Sequence, residues 1–126
     1  MKELSIKTLK RKLWEKYVSP YIRQRDKGVC FTCGKIDDWR NQHCGHFIPR
    51  SKYSDIEFTE ENLHCQCNKC NTYLSGNMRE YTLRMIDMYG RSKVDELIQR
   101  SNIVKVWKIQ ELLDLIEYYK NKLKEL

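Results

Sequence analysis

Four cysteines form two pairs with the same internal spacing. Cys30 and Cys33 enclose the segment CFTC, and Cys67 and Cys70 enclose CNKC. A C-x-x-C turn supplies two thiolates from one tight loop, and two such turns complete the tetrahedral shell that Zn²⁺ prefers. Because this set leaves no open coordination position, the pattern predicts a structural zinc site. The alternative is four buried cysteines without a metal.

Two further cysteines, Cys44 and Cys65, lie outside these pairs. Cys65 has the strand parity of Cys67 and is an alternative ligand, but only Cys67 repeats the x-x spacing with Cys70. We therefore expect Cys44 and Cys65 to pack as small apolar side chains. Disulfides are not expected, because the charged N-terminal segment does not resemble a secretion signal and cytosolic thiols are kept reduced.

Histidine and asparagine residues lie close to the predicted zinc ligands. Asn62, His64 and Gln66 alternate along the segment ENLHCQC, so a strand would place them on one face. His46 lies in the earlier segment GHFIP. If the two segments pair as a hairpin, we expect His46 to approach Asn62 and His64 on the face away from the thiolates. The alternative is a structural role for each histidine and a turn role for Asn62.

The elements that must position these groups begin with an N-terminal helix. Residues 4–27 show a helical pattern of apolar side chains, interrupted at Pro20, where we expect a kink or two abutting helices. The best candidates for strands are residues 42–48 and 62–67.

The remainder of the chain is predicted to be helical. The helical pattern begins near residue 68, is broken at Gly90 and ends with a helix over about 104–125. Asn71 then lies where the first of these helices starts. The predicted fold class is α+β and mostly helical, with one domain made of an N-terminal helical segment, a zinc-bound core and C-terminal helices over residues 1–27, 28–90 and 91–126.

The chain is basic. Lys and Arg outnumber Asp and Glu by 24 to 17, which gives a formal net charge of +7. This balance favours a polyanionic partner such as nucleic acid, although a solvated surface without such a partner also explains it. No apolar run approaches the roughly 20 residues that span a bilayer. We therefore expect an intracellular protein without a membrane partner, and nothing indicates a small-molecule substrate.

The order of these motifs resembles the HNH, or ββα-metal, nucleases. That pattern has Asp-His-x-x-Pro on a first strand, then Asn-Leu, then C-x-x-C followed by His or Asn. The matching segments here are Gly45-His46-Phe47-Ile48-Pro49, Asn62-Leu63 and Cys67-Asn68-Lys69-Cys70-Asn71. Further positions make residues 14–90 similar to the phage NinG/Rap recombination endonucleases. These positions are Tyr21-Ile22-Arg23, Arg25-Asp26, Leu74-Ser75-Gly76-Asn77 and Tyr81.

The resemblance implies a zinc-containing HNH-like core and a role for individual residues. His46 would be the general base that deprotonates the water attacking a DNA phosphodiester, and Asn62 would orient it. Asn71 would help to hold a divalent cation, Mg²⁺ or Mn²⁺, that stabilises the charge of the phosphorane and the departing 3′ oxygen. The products would be a 5′-phosphate and a 3′-hydroxyl.

One position departs from the pattern, because Gly45 stands where such nucleases have a metal-binding Asp or His. We expect His64 to complete the catalytic metal site with Asn71. An imidazole ligand would favour Mn²⁺ over Mg²⁺.

The resemblance also implies branched DNA, a Holliday junction or D-loop, as the substrate of a phage protein in the bacterial cytoplasm. We expect phosphate contacts from basic residues near the site, namely Arg50, Lys52, Lys69 and Arg79. Two coordinated cuts would suit a homodimer, with the apolar stripe of the last helix as its interface or packed within its own domain. Two rival hypotheses are a catalytically silent zinc-ribbon module that binds nucleic acid, which Gly45 favours, and a zinc-dependent adaptor.

Overall fold

The computed structural model describes residues 5–49 and 54–126. Its helices are α1 (Ile6–Lys12), α2 (Ser19–Arg25), α3 (Met78–Tyr89), α4 (Arg91–Ser101) and α5 (Ile109–Lys124). Its strands are β1 (His43–His46) and β2 (Leu63–Gln66). Short 3₁₀ turns lie at Trp39–Asn41, Asp55–Phe58 and Glu60–Asn62. The predicted α+β, mostly helical class is confirmed. Within the described ranges, no helix has the length and apolar character of a membrane span.

A wider helical turn joins α1 to α2. Residues Leu13–Val18 are π-helical, and the amide of Ser19 donates to the carbonyl of Trp14, five residues earlier. Pro20 has no amide hydrogen and so cannot continue the ordinary α-helical ladder. The π-helical turn takes up this mismatch. The predicted interruption at Pro20 is therefore a local widening of one helical segment.

The two strands form an antiparallel hairpin whose register decides what each face carries. The Cα partners are His43 with Gln66, Cys44 with Cys65, Gly45 with His64, and His46 with Leu63. Directly opposed residues point to the same face of a sheet. His46 therefore shares a face with Leu63 and Cys65, and His64 lies on the other face. The expectation that His46 and His64 share a face was wrong, because strand parity alone does not fix the register.

Two apolar cores flank the hairpin. One core lies among α1, α2, α5 and one hairpin face, and its buried members include Leu13, Ile22, Leu63, Leu112 and Tyr119. The other lies among α3, α4 and the segment after β1, and includes Phe47, Ile56, Tyr81, Met85 and Leu97. The apolar stripe of α5 thus packs within its own chain, as one of the two alternatives expected, and offers no support for a dimer interface.

Gly45 has no room for a side chain. A Cβ atom at this position would lie 1.8 Å from Oε1 of Gln66 and 3.1 Å from Oδ1 of Asn71. The Gln66 amide cannot retreat easily, because its Nε2 donates to Oγ1 of Thr32 and to the carbonyl of Gly76. The space that an aspartate side chain would need at position 45 is therefore occupied by Gln66.

We expect Gly45→Ala to lower the free energy of unfolding by about 1–3 kcal/mol, the usual cost of forcing an extra group into a packed interior. Urea denaturation of the metal-loaded protein measures this change. The matched background is Gln66→Ala, in which the same Gly45→Ala change should cost at least about 1 kcal/mol less. An equal cost in both backgrounds would show that Gln66 is not the obstacle.

Candidate functional site

The structure brings the four predicted zinc ligands together. The Sγ atoms of Cys30, Cys33, Cys67 and Cys70 all lie within 4.8 Å of one another. A tetrahedral zinc with Zn–S bonds of about 2.3 Å needs sulfur atoms about 3.8 Å apart. The Sγ atoms of Cys33 and Cys67 are 3.6 Å apart. The number, type and spacing of these donors therefore fit a structural metal ion such as zinc.

Hydrogen bonds from backbone amides shape both cysteine turns. The amide of Gly34 donates to the carbonyl of Cys30. The amide of Cys70 lies 3.5 Å from Sγ of Cys67, to which it donates. Because the second turn lies between β2 and a π-helical segment, Lys69–Tyr73, a shared metal would fix where Asn71 stands relative to the hairpin.

The two remaining cysteines lie outside this set. Cys44 and Cys65 face each other across the hairpin and are buried. Burial raises the pKa of Cys65 to about 12 and also raises that of Cys44. Both therefore remain neutral thiols at physiological pH, as expected for small packing groups.

A polar groove of about 420 Å³ lies between the N-terminal helical segment and β1. Its lining includes one residue predicted as the catalytic base, His46, and one predicted as a metal ligand, Asn71. The other lining residues are Trp14, Ser19, Arg23, Gln42, His43 and Cys44. Since His43 and His46 come from opposite faces of β1, the groove runs along the edge of the strand.

His46 is held in a defined orientation. Its ring stacks on Trp14 with centroids 4.7 Å apart and planes 19° apart. Its Nε2 lies 3.1 Å from the carbonyl oxygen of Glu57. A carbonyl can only accept, so Nε2 carries the proton and Nδ1 carries the lone pair in this contact. A neutral imidazole in this tautomer can take a proton at Nδ1.

His43 is a site residue that the sequence reasoning missed. Its Nδ1 lies 3.0 Å from Nδ2 of Asn71. It is half-buried, and it begins the strand that His46 ends. The spacing of three residues argues against a shared face in a strand, and only the position of the groove along the strand edge brings the two together. A second histidine within the predicted strand over residues 42–48 was the one available signal.

Arg23 adds a positive charge to the groove. Its Nε donates to the carbonyl of Ser19, and its Nη1 donates to the carbonyls of Trp39 and Gln42. Its guanidinium also lies 5.1 Å from the centre of the Trp39 ring. Burial lowers its pKa, but an arginine remains protonated at any physiological pH.

Asn62 is completely buried and binds backbone rather than a histidine ring. Its Oδ1 accepts from the amide of Ile48, and its Nδ2 donates to the carbonyls of Ile48 and Ile56. These bonds hold the segment that follows β1. Asn62 therefore has no side-chain contact with His46 among these bonds, and an effect on His46 would pass through the backbone.

His64 lies in the interior on the side away from His46. Its Nδ1 is 3.0 Å from the hydroxyl of Tyr81, its Nε2 is 2.8 Å from the hydroxyl of Tyr89, and its ring stacks on Phe31. Burial, with the nearby charge of Arg25, lowers its pKa to about 3. The structure does not bring His64 together with Asn71, because both ring nitrogens of His64 are engaged by the hydroxyls of Tyr81 and Tyr89 in the core.

The structure describes two of the four residues predicted to contact DNA. Lys69 and Arg79 are exposed, and Lys69 lies in the turn that also carries Asn71. Arg50 and Lys52 lie outside the described residues.

Comparison with known proteins identifies relatives. A family model described as Bacteriophage Lambda NinG protein matches residues 1–126. Protein ninG of Escherichia phage lambda is 33% identical over 110 residues, which are 86% of this chain and 53% of that protein. Protein ninG of Salmonella phage P22 is 32% identical over 110 residues, 86% of this chain and 53% of that protein. The chain thus spans about half the length of the curated relatives it matches. No solved structure matches it.

We expect one zinc per wild-type chain, measured by mass spectrometry of the metal content, and loss of that zinc in Cys33→Ser. Cys33 is the exposed ligand, so its replacement removes a thiolate with little change in packing. Because a structural zinc contributes about 10–16 kcal/mol of apparent binding energy, the variant should also unfold at a much lower temperature. Cys65→Ala is the matched control and should retain the metal. Zinc retained by Cys33→Ser, or lost from Cys65→Ala, would contradict this ligand set.

We expect His64 to make folding pH-dependent. The folded protein keeps this ring neutral down to about pH 3, whereas the unfolded chain binds a proton near the ordinary pKa of 6.5. Stability is therefore lost as the pH falls below 6.5, by about 1 kcal/mol between pH 7.0 and pH 5.5. Urea denaturation at both pH values should show a smaller loss in His64→Gln, which cannot titrate. Equal losses in the two proteins would assign the pH dependence to other groups.

Proposed function

The chain belongs to the NinG family, and from this premise we propose that it is a metal-dependent endonuclease that hydrolyses phosphodiesters in branched DNA. The observation that carries the proposal is the groove in which His46, His43 and Asn71 meet beside the four-cysteine site. A module that only binds DNA has no need for an oriented histidine base next to potential metal ligands.

His46 acts as the general base. Its contact with the Glu57 carbonyl keeps the proton on Nε2, so Nδ1 takes the proton from the attacking water. The face of Trp14 then stabilises the positive charge that develops on the ring. A positioned histidine base contributes about 10²–10⁴-fold to such a reaction.

Asn71 and His43 are the residues that fit a divalent cation. Turning the Asn71 amide over would place its oxygen 3.0 Å from Nδ1 of His43, where the nitrogen now lies. Neighbouring ligands around an octahedral cation with bonds of about 2.1 Å are separated by about the same distance. We therefore assign the second ligand to His43 rather than to the expected His64.

The groove favours a transition metal over Mg²⁺. Among the described residues that line it there is no carboxylate, so the ligands would be an imidazole and an amide oxygen. Imidazole suits Mn²⁺ better than Mg²⁺, and the DNA phosphate would supply the missing negative charge. When bound, the cation would supply Lewis-acid stabilisation of the phosphorane charge and the leaving 3′ oxygen.

Arg23 and the four-cysteine site support this chemistry. Arg23 presents a fixed positive charge where a phosphate would enter the groove, and its anchoring to three carbonyls keeps it there. Zinc bound at Cys70 would hold the adjacent Asn71 against β1. We assign phosphate contacts to Arg50, Lys52, Lys69 and Arg79, and the substrate to Holliday junctions or D-loops cut by a homodimer in the bacterial cytoplasm.

A second candidate function is a zinc-binding module that binds nucleic acid without cutting it. The observation that favours it is the missing carboxylate, since Gly45 replaces the usual aspartate and Gln66 fills the space. Metal-dependent cleavage separates the two candidates.

We expect the wild-type protein to cut a labelled four-way junction with Mn²⁺ or Mg²⁺, and to cut the matching linear duplex more slowly. His46→Ala should lose at least about 10²-fold in rate while it keeps its zinc and its affinity for DNA. His43→Ala should require a higher Mn²⁺ concentration, because one ligand is lost. A brief EDTA treatment that leaves the zinc content unchanged should abolish cutting.

Other results would correct the proposal in different ways. Equal cutting of the junction and the linear duplex would support nuclease activity and contradict a preference for branched DNA. An unchanged Mn²⁺ requirement in His43→Ala would show that the second ligand of the cation is a residue other than His43. Junction binding without cutting in any metal supports the silent zinc-binding module.

A further inference from the structure

The exposed face of the N-terminal helical segment carries cations that the proposed catalysis does not use. Lys7, Arg11, Lys12 and Lys16, here called the basic helix face, are all exposed. Residues 6–18 contain a single acidic residue, Glu15. Within the described part of the chain, none of the four cations forms an ion pair, whereas Lys10 on the flank of the helix pairs with Glu57 at 3.1 Å.

The arrangement of these cations is unfavourable for the helix itself. Lys7 with Arg11 and Lys12 with Lys16 are like charges four residues apart, and each such pair destabilises the helix. Glu15, four residues after Arg11, offsets part of this repulsion. The first turn of α1 has no acidic residue, so Lys7 also opposes the helix dipole. An anion from outside the chain would neutralise both effects.

The basic helix face leads directly to the catalytic groove. Lys7 and Arg11 border a second groove, whose other lining residues are Lys10, Trp14, Glu15, Glu57 and Phe58. Trp14 is also the residue that stacks on His46, and the Glu57 carbonyl is the acceptor for His46. The two grooves therefore share Trp14 as a wall, and a strand of DNA bound at His46 would continue over α1.

We propose that the basic helix face binds the phosphate backbone of the DNA arm that leaves the cleavage site. From Lys7 to Lys16 the helix extends about 13 Å. Duplex DNA carries about eight phosphate charges over that length. Such contacts hold the DNA in register with His46 without reading its sequence. This inference rests on the proposed function only in taking the DNA to extend from His46 toward α1.

The test compares two triple variants that lose the same charge. Arg11→Gln with Lys12→Gln and Lys16→Gln removes most of the basic helix face. Arg91→Gln with Lys120→Gln and Lys124→Gln removes three exposed cations from α4 and α5. Binding of the full zinc-loaded chain to a fluorescent duplex and to a four-way junction is followed by anisotropy over a series of KCl concentrations. The buffer contains Ca²⁺ in place of Mn²⁺. Zinc content and thermal unfolding verify that both variants are folded.

The basic-face variant should bind both DNAs about tenfold or more weakly, and its slope of log affinity against log salt should be shallower by about 3. The control variant should stay within about twofold of the wild type. Equal weakening of DNA binding in both variants, or no weakening in either, would contradict the proposed role of the basic helix face.

Cleavage by the same proteins separates this surface from the nuclease proposal. If the wild-type protein binds DNA through the basic helix face but never cuts it, the result would contradict the nuclease proposal and support the DNA-binding role of this face. If the basic-face variant cuts DNA with an unchanged KM, the result would contradict DNA binding by the basic helix face and support the nuclease proposal.

Discussion

The proximity of four thiol groups is the constraint on which the rest of the site depends. Four sulfur atoms within 4.8 Å of one another repel as thiolates, and a divalent cation is what makes such a cluster stable. The cation would tie the turn after α2 to the turn after β2. Because Asn71 directly follows Cys70, the same bonds would set the distance between Asn71 and β1. A structural metal would thus determine the geometry of a groove that it does not enter.

The hairpin has a solvated edge and a side buried in the core. At the solvated edge, His46 and His43 border a polar groove with Asn71 and Arg23. In the buried core, His64 is neutral and bonded to two tyrosine hydroxyls from α3. The same residue type therefore has different surroundings, because two of the rings lie at a groove and the third is desolvated.

Gly45 links these two sides. Its missing side chain leaves space for Gln66, whose amide is bonded to Thr32 near the first cysteine turn. The glycine therefore favours close packing between the hairpin and the first cysteine turn, and leaves no space for a carboxylate side chain at this position. The groove retains nitrogen and amide donors, which are weaker ligands for Mg²⁺. The positive charges of Arg23 and of the basic helix face would attract the phosphate that completes such a site.

The sequence determined the features that depend on short-range order. The two C-x-x-C turns, the helical segments and the approximate strand positions follow from spacing and periodicity over a few residues. The tertiary structure alone decided which histidines meet, because strand register and the edge along which the groove runs depend on contacts between distant segments. For this reason His43, which was not expected at the site, lines the groove, and His64, which was expected there, does not. The cations of α1 are likewise visible in the sequence, but their proximity to His46 depends on the packing of Trp14 against β1.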